Sequence, residues 1–309
     1  MSRSSSARID DRQRELPGLF YAVGGTRLRR LERVAAHLRH VALYAKAEHL
    51  NPSGSVKDRA ARAILLDGLR RGRLLPGKTV LEATSGNTGI ALAMLARALG
   101  HEVRICLPAN ASAERKRLLH ACGACLELTD RLAGTDGAIL RARALYREQP
   151  GAFFYGDQYG NDANWRAHFQ GTGPEIWEQT GGRITHFVAG IGTSGTFVGT
   201  TRYLKARNPA IVAVSMEPDT PLHGLEGLKH LQSAMVPAIY DPSLADARME
   251  LNTEEGLAMA RRLAVEEDLC VGPSAGANVA AALRVAEALP RGADAVVVTV
   301  LPDHGSRYP

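Results

Sequence analysis

Short runs of aliphatic and β-branched residues alternate with longer helical runs along nearly the whole chain, and this rhythm limits the fold more than any other feature. Val41–Ala47, Thr79–Ala83, Glu102–Leu107 and Cys125–Thr129 read as strands. Helices are expected over Lys57–Arg71, Asn87–Leu99, Ser112–Ala121 and Thr135–Glu148. The rhythm repeats further on, with strands at His186–Gly190, Ile211–Glu217 and Ala295–Leu301 and helices at Asn161–Glu178, Thr253–Glu267 and Ala275–Leu289, where Pro290 ends the last. Strands that alternate with helices predict an α/β chain with mainly parallel sheets. Ligand sites in such folds lie at the carboxyl ends of strands. The 309 residues suffice for two modest domains, and with no Gly/Ser linker these are expected to intertwine.

Charge and cysteine content narrow the function. The net charge of +6 comes from 38 basic and 32 acidic residues, with a cluster at Arg27, Arg29, Arg30 and Arg33. No zinc-finger spacing or aromatic RNA-binding signature accompanies it, so it reads as a solvated face and no nucleic-acid partner is expected. Cys122 and Cys125 form a lone C-x-x-C without a second ligand pair, so no metal site is expected. Four cysteines in no disulfide pattern point to a reducing cytoplasm. Met1–Arg14 lacks the apolar core of a signal peptide, and no apolar run is long enough for a membrane span.

Four segments carry chemistry: the first two join a strand to a helix, the third follows a strand and the fourth precedes a helix. Asn51-Pro-Ser-Gly-Ser-Val-Lys57-Asp-Arg59 puts a lysine at a helix start, where the positive helix end disfavours a cation. Burial there would lower its pKa and make the amine nucleophilic; a surface lysine after a turn is the plainer reading. Glu82-Ala-Thr84-Ser85-Gly86-Asn87-Thr88-Gly89 offers N–H and hydroxyl donors at a helix end, suited to a carboxylate or phosphate. Gly190-Ile-Gly192-Thr193-Ser194-Gly195-Thr196 spells G-x-G-x-x-G, with Glu217 a further 22 residues on, so a nicotinamide dinucleotide enzyme is a competing reading. Gly272-Pro-Ser274-Ala-Gly-Ala-Asn278 places a serine at a helix start, either as a cap or as a neutral hydroxyl for a ring nitrogen.

Together the four segments resemble the fold-type-II pyridoxal-phosphate enzymes, most closely the cysteine synthases of the B-type, O-phosphoserine-using branch. Gln158-Tyr-Gly-Asn161, Gly171-Thr-Gly-Pro-Glu175, Leu301-Pro-Asp303 and the closing Gly305-Ser-Arg-Tyr308 carry the resemblance further, from about Gly24 to Tyr308. It implies two intertwined three-layer α/β/α domains. Residues 1–50 and 162–309 would form the larger, cofactor-phosphate-binding domain, and 51–161 the smaller, mobile, carboxylate-binding one. Lys57 matches the family's Schiff-base lysine, Asn87 the partner of the cofactor's 3′ oxygen, Gly192, Thr193, Ser194, Gly195 and Thr196 the phosphate loop, and Ser274 the serine facing the pyridine nitrogen. Thr84, Ser85, Gly86, Thr88 and Gln158 match binders of the substrate carboxylate. Lys229 falls where some phosphoserine users carry an arginine, and a lysine lacks the bidentate fork.

The implied reaction is β-replacement. Lys57 removes the Cα proton of an O-activated L-serine, O-acetylserine or O-phosphoserine, the β-substituent leaves to give an aminoacrylate, and sulfide or another sulfur donor adds to give cysteine. The neighbouring readings are serine or threonine dehydration and the formation of cystathionine or cyanoalanine. With no regulatory domain after Tyr308, the longer cystathionine-forming and dehydratase architectures are less expected. The resemblance also implies a homodimer.

Overall fold

The computed structural model describes residues 16–84 and 86–308. After a one-turn helix α1 (Gly18–Tyr21) come β1 (Leu28–Arg30) and β2 (Val41–Lys46). Then follow α2 (Lys57–Arg70), β3 (Thr79–Ala83), α3 (Asn87–Ala98), β4 (Val103–Pro108), α4 (Ala113–Ala121), β5 (Ala124–Thr129), α5 (Gly134–Glu148) and β6 (Phe153–Tyr155). A broken helix follows, α6 (Ala163–Ala167), a π-helical turn (His168–Thr172) and α7 (Gly173–Gln179). The chain continues through β7 (His186–Gly190), α8 (Gly195–Arg207), β8 (Val212–Pro218), β9 (Ala247–Leu251), α9 (Thr253–Glu266), α10 (Pro273–Glu287) and β10 (Ala295–Val300).

The strands form two sheets. Six lie in the order β1-β2-β10-β7-β8-β9 and four in the order β5-β4-β3-β6. Every pairing is parallel except β1 with β2. The central strand β10 shows why the apolar runs are continuous. All six of its residues are buried, because helices cover both faces of a parallel sheet. Val297 packs with Met259 of α9 and Ala277 of α10 on one face, whereas Val296, Val298 and Val300 pack with Phe197 and Leu204 of α8 on the other. The four-stranded sheet is layered in the same way. Val80 and Ile105 meet α2 and α3, and Leu81 and Cys106 meet Ile139 of α5. The α/β fold with two three-layer units and mainly parallel sheets is therefore the one present.

The basic cluster near the start caps a helix. Arg29 donates to the carbonyl of Glu267 at 3.3 Å and Arg33 to that of Glu266 at 2.6 Å, so both sit at the negative end of α9. Cys122 is the C-terminal cap of α4 and Cys125 lies in β5, so the C-x-x-C spans a helix end and a strand.

Behind the crevice described below lies a buried ionic cluster. Arg59 of α2 grips Glu48 at 2.7 and 2.8 Å and Glu175 of α7 at 2.7 Å through two nitrogens. Lys46 of β2 adds a 2.7 Å pair to Glu175. Burial alone would raise the carboxyl pKa of Glu48, but the charge and hydrogen bonds of Arg59 outweigh it and bring it down to about 2. Removing one partner from such a cluster leaves buried charge uncompensated, so Arg59→Met is expected to cost about 3–5 kcal/mol. Denaturant unfolding of the variant against wild type measures the loss.

Candidate functional site

Both glycine-rich loops and the lysine loop reach one place, the carboxyl ends of β3, β7 and β10. Two adjoining cavities, of about 110 Å³ and about 40 Å³, open there. Lys57, Asn87, Gly192, Thr193 and Glu226 line both, so they form one crevice.

Lys57 is the first residue of α2. Its loop is stitched to the segment after β10, where the Val56 N–H donates to the Pro302 carbonyl at 2.7 Å and Ser55 bridges to Asp303. Gly54 takes the left-handed conformation at φ +82°, which a residue with a Cβ adopts only with strain. Burial lowers the amine's pKa, and the nearby Asp303 carboxylate opposes that in part. Lys57 and Arg59 stand two positions apart on the helix and so on opposite sides. One therefore faces the crevice while the other is locked into the ionic cluster.

The loop from Gly190 to Thr196 leads from β7 into α8. Ser194, the N-cap, holds φ +69°, and its buried hydroxyl has no partner among the described residues. The first backbone N–H groups of α8 lack carbonyl partners within the helix. A Cβ on Gly192 would stand 2.0 Å from the Gly227 carbonyl, and one on Gly195 2.0 Å from Asn164 Oδ1. Only glycine fits at either place. Thr193 accepts from Asn164 Nδ2 at 3.0 Å, and Thr196 contacts the ring of His168 at 3.3 Å. An unpartnered hydroxyl, helix-start N–H groups and two glycines with no room for a Cβ fit a phosphate. Ser274, near the start of α10, is buried in the wall of the smaller cavity. These residues suit pyridoxal phosphate, a ring with one phosphate, at the mouth of a lysine. Glu217, the acid that a dinucleotide ribose would need, instead accepts from the Leu231 N–H at 2.9 Å.

The Thr84–Thr88 loop opens α3. The Thr88 hydroxyl donates to Gln158 Oε1 at 2.7 Å, and Gln158 Nε2 donates to the Ala83 carbonyl at 2.9 Å. Thr84, Gly86, Thr88 and Gln158 all line the larger cavity; Ser85 lies outside the described residues. Asn87 donates to Asp303 at 2.6 Å and accepts from Arg307. Lys229 is in the same wall, but its amine is held by Asp136 at 3.1 Å and by the Met235 carbonyl at 3.2 Å, over the ring of Tyr159.

Two crevice residues, Arg115 and Glu226, had no sequence signal. Arg115 of α4, Glu226 and Tyr308 line the cavity, and Asp303 accepts from both Asn87 and Tyr308. They come from distant segments, so no spacing could have joined them. Beneath the Thr84–Thr88 loop, buried Glu82 accepts from the N–H groups of Ala83 and Gln158 at 2.9 and 3.1 Å.

Residues 19–303 match the family described as pyridoxal-phosphate dependent enzyme, and the chain belongs to that family and, within it, to the cysteine synthases. It is 52% identical over 269 residues to a cysteine synthase of Aquifex aeolicus, covering 87% of this chain and 82% of that one. It is 42% identical over 296 residues to cysteine synthase B of Pseudomonas aeruginosa, covering 95% and 96%. The crystal structure of a cysteine synthase from Entamoeba histolytica superimposes with a TM-score of 0.89 at 34% identity, covering 100% of this chain and 92% of that one.

Burial pushes the Glu82 carboxyl up from 4.5 to about 8. Between those values it is protonated when folded and ionised when unfolded, so the fold loses stability as pH rises through that window. The melting temperature of Glu82→Gln relative to wild type is therefore expected to be more favourable at pH 9 than at pH 5. Calorimetric scans at the two pH values check this, and an equal difference at both would refute it.

Proposed function

We propose that this chain is a cysteine synthase that replaces the β-substituent of an O-activated L-serine with a sulfur nucleophile, with Lys57 as cofactor-binding and catalytic residue. The observation that carries this reading is a lysine of lowered pKa in a crevice between two helix starts, each ready for an anion. Bound there, pyridoxal phosphate supplies an electron sink for charge that develops at the substrate Cα.

The chain's own residues do the rest. The helix start and hydroxyls of Gly192, Thr193, Ser194, Gly195 and Thr196 hold the phosphate. Asn87 serves the ring's 3′ oxygen, and Ser274 offers the ring nitrogen a neutral hydroxyl. A carboxylate at that place would keep the nitrogen protonated; the hydroxyl gives a weaker sink, which favours loss of the β-substituent over transamination. Thr84, Gly86, Thr88 and Gln158 take the substrate carboxylate, with Ser85 in the same loop. Burial keeps the Lys57 amine neutral enough to accept the Cα proton and later return it. Residues 51–161, which include the four-stranded sheet, form the smaller unit, and its closure on the carboxylate excludes water. The reading extends to a cytoplasmic homodimer, an assembly that light scattering checks. Among the described residues no helix is long and apolar enough to cross a membrane.

The purified protein is expected to be yellow with bound cofactor and to release cysteine from sulfide and an activated serine. Lys57→Ala should lose the visible band of the lysine-bound cofactor and slow turnover by more than about 10²-fold, the lower range for a positioned general base. A colourless protein that binds a nicotinamide dinucleotide would sink the reading.

A further inference from the structure

The wall of the larger cavity holds four basic side chains, Lys57, Arg115, Lys229 and Arg307, and, among the described residues, one acid, Glu226. On charge count alone the cavity suits a highly anionic substrate such as a phosphate ester. The pairings reverse that impression. Lys57 is taken by the cofactor in the reading above. The charge of Lys229 is balanced by Asp136, and its side chain is only 10% exposed. Arg307 donates to Asn87 and to the Ser53 carbonyl. Arg115 contacts Glu226 across the crevice, and its guanidinium lies 3.9 Å from where a side chain on Gly86 would begin. Glu226 itself is 40% exposed and faces both cavities.

The placement of these groups sets what the substrate's third arm meets. With the substrate carboxylate on the Thr84–Thr88 loop and its nitrogen toward Lys57, the β-substituent turns to the remaining wall, where the open charged groups are Arg115 and Glu226. We infer that Glu226 is a specificity residue: by presenting a negative charge beside Arg115, it admits an uncharged O-acyl leaving group and rejects a phosphate dianion. This rests on the cysteine synthase reading above. It names a discriminator, on the loop that follows β8, for the two activated serines that the sequence leaves open.

The test uses cofactor-loaded wild type and Glu226→Gln, each checked for its visible band so that folding and loading are equal. kcat/KM is measured with O-acetylserine and with O-phosphoserine. Wild type is expected to prefer O-acetylserine. Glu226→Gln should raise the phosphoserine-to-acetylserine ratio by about tenfold or more, through KM for phosphoserine, as removal of one like charge in a partly wet cavity implies. The gain should shrink at high salt, and Arg115→Gln added to Glu226→Gln should abolish it. Calorimetric binding of O-phosphoserine on a Lys57→Ala background supplies a readout without turnover and should tighten by a similar factor. An unchanged ratio, or a wild type that already prefers phosphoserine, overturns the inference. A wild type that turns over neither ester overturns the underlying reading instead.

Discussion

The grip of Arg59 on Glu48 and Glu175 is the contact on which the site's geometry rests. Glu48 precedes the lysine loop, Arg59 belongs to the first turns of α2, and Glu175 sits at the start of α7, so one guanidinium fixes three segments. A bidentate fork on each side restricts rotation as well as distance. Lys57, on the other side of the same helix, inherits that fixation. The cluster also lies close to the phosphate loop. The π turn between α6 and α7 brings His168 against Thr172 at 2.9 Å and against Thr196. Burial takes the pKa of His168 down to about 3, so it is a neutral hydrogen-bonding wedge under the loop.

Both anion sites in the crevice are built from neutral groups. In the proposed reading, helix starts, threonine and serine hydroxyls and glycine backbones meet the phosphate and the carboxylate, while most basic side chains are paired elsewhere. A helix end supplies partial positive charge in a fixed direction, and its N–H groups cannot swing away as a lysine head can. The close approaches of Gly192 to Gly227 and of Gly195 to Asn164 are the packing counterpart of that choice. Where the loop carries glycine, its backbone can approach a small anion directly.

How much of this was legible in the sequence follows from how local each feature is. Central parallel strands such as β10 announce themselves as unbroken apolar runs because both faces are covered. Short edge strands do not: β1 and β6 have three residues each, and β9, at the sheet's edge, is largely exposed. The segment 161–178 reads as one helix, and it is helical from Ala163 to Gln179, but it widens to a π turn at His168–Thr172. There α8 comes so close that a Cβ on Gly199 would meet the Trp165 carbonyl at 2.0 Å. That is a tertiary demand that no local pattern carries. Helix α8 itself goes unread because its glycines and β-branched residues are weak helix formers, and burial holds it. The lysine and glycine loops were legible as contiguous motifs. Arg115 and Glu226 were not, because only the fold brings them to the crevice.

Asp303 completes the electrostatics of the crevice. Burial pushes its carboxyl pKa up, hydrogen bonds from Tyr308 and Asn87 work against that, and one oxygen is left without a partner among the described residues. Burial acts on Lys57 in the opposite sense and lowers its amine. Both groups are therefore driven toward their neutral forms by the same dry surroundings, and their mutual attraction is what keeps either charged. A lowered amine, with a carboxylate beside it that opposes the lowering in part, suits the role proposed for Lys57 of taking a proton from carbon and giving it back. The segment after β10 thus does two things at once: its backbone pins the lysine loop, and its carboxylate sets how readily the lysine holds a proton.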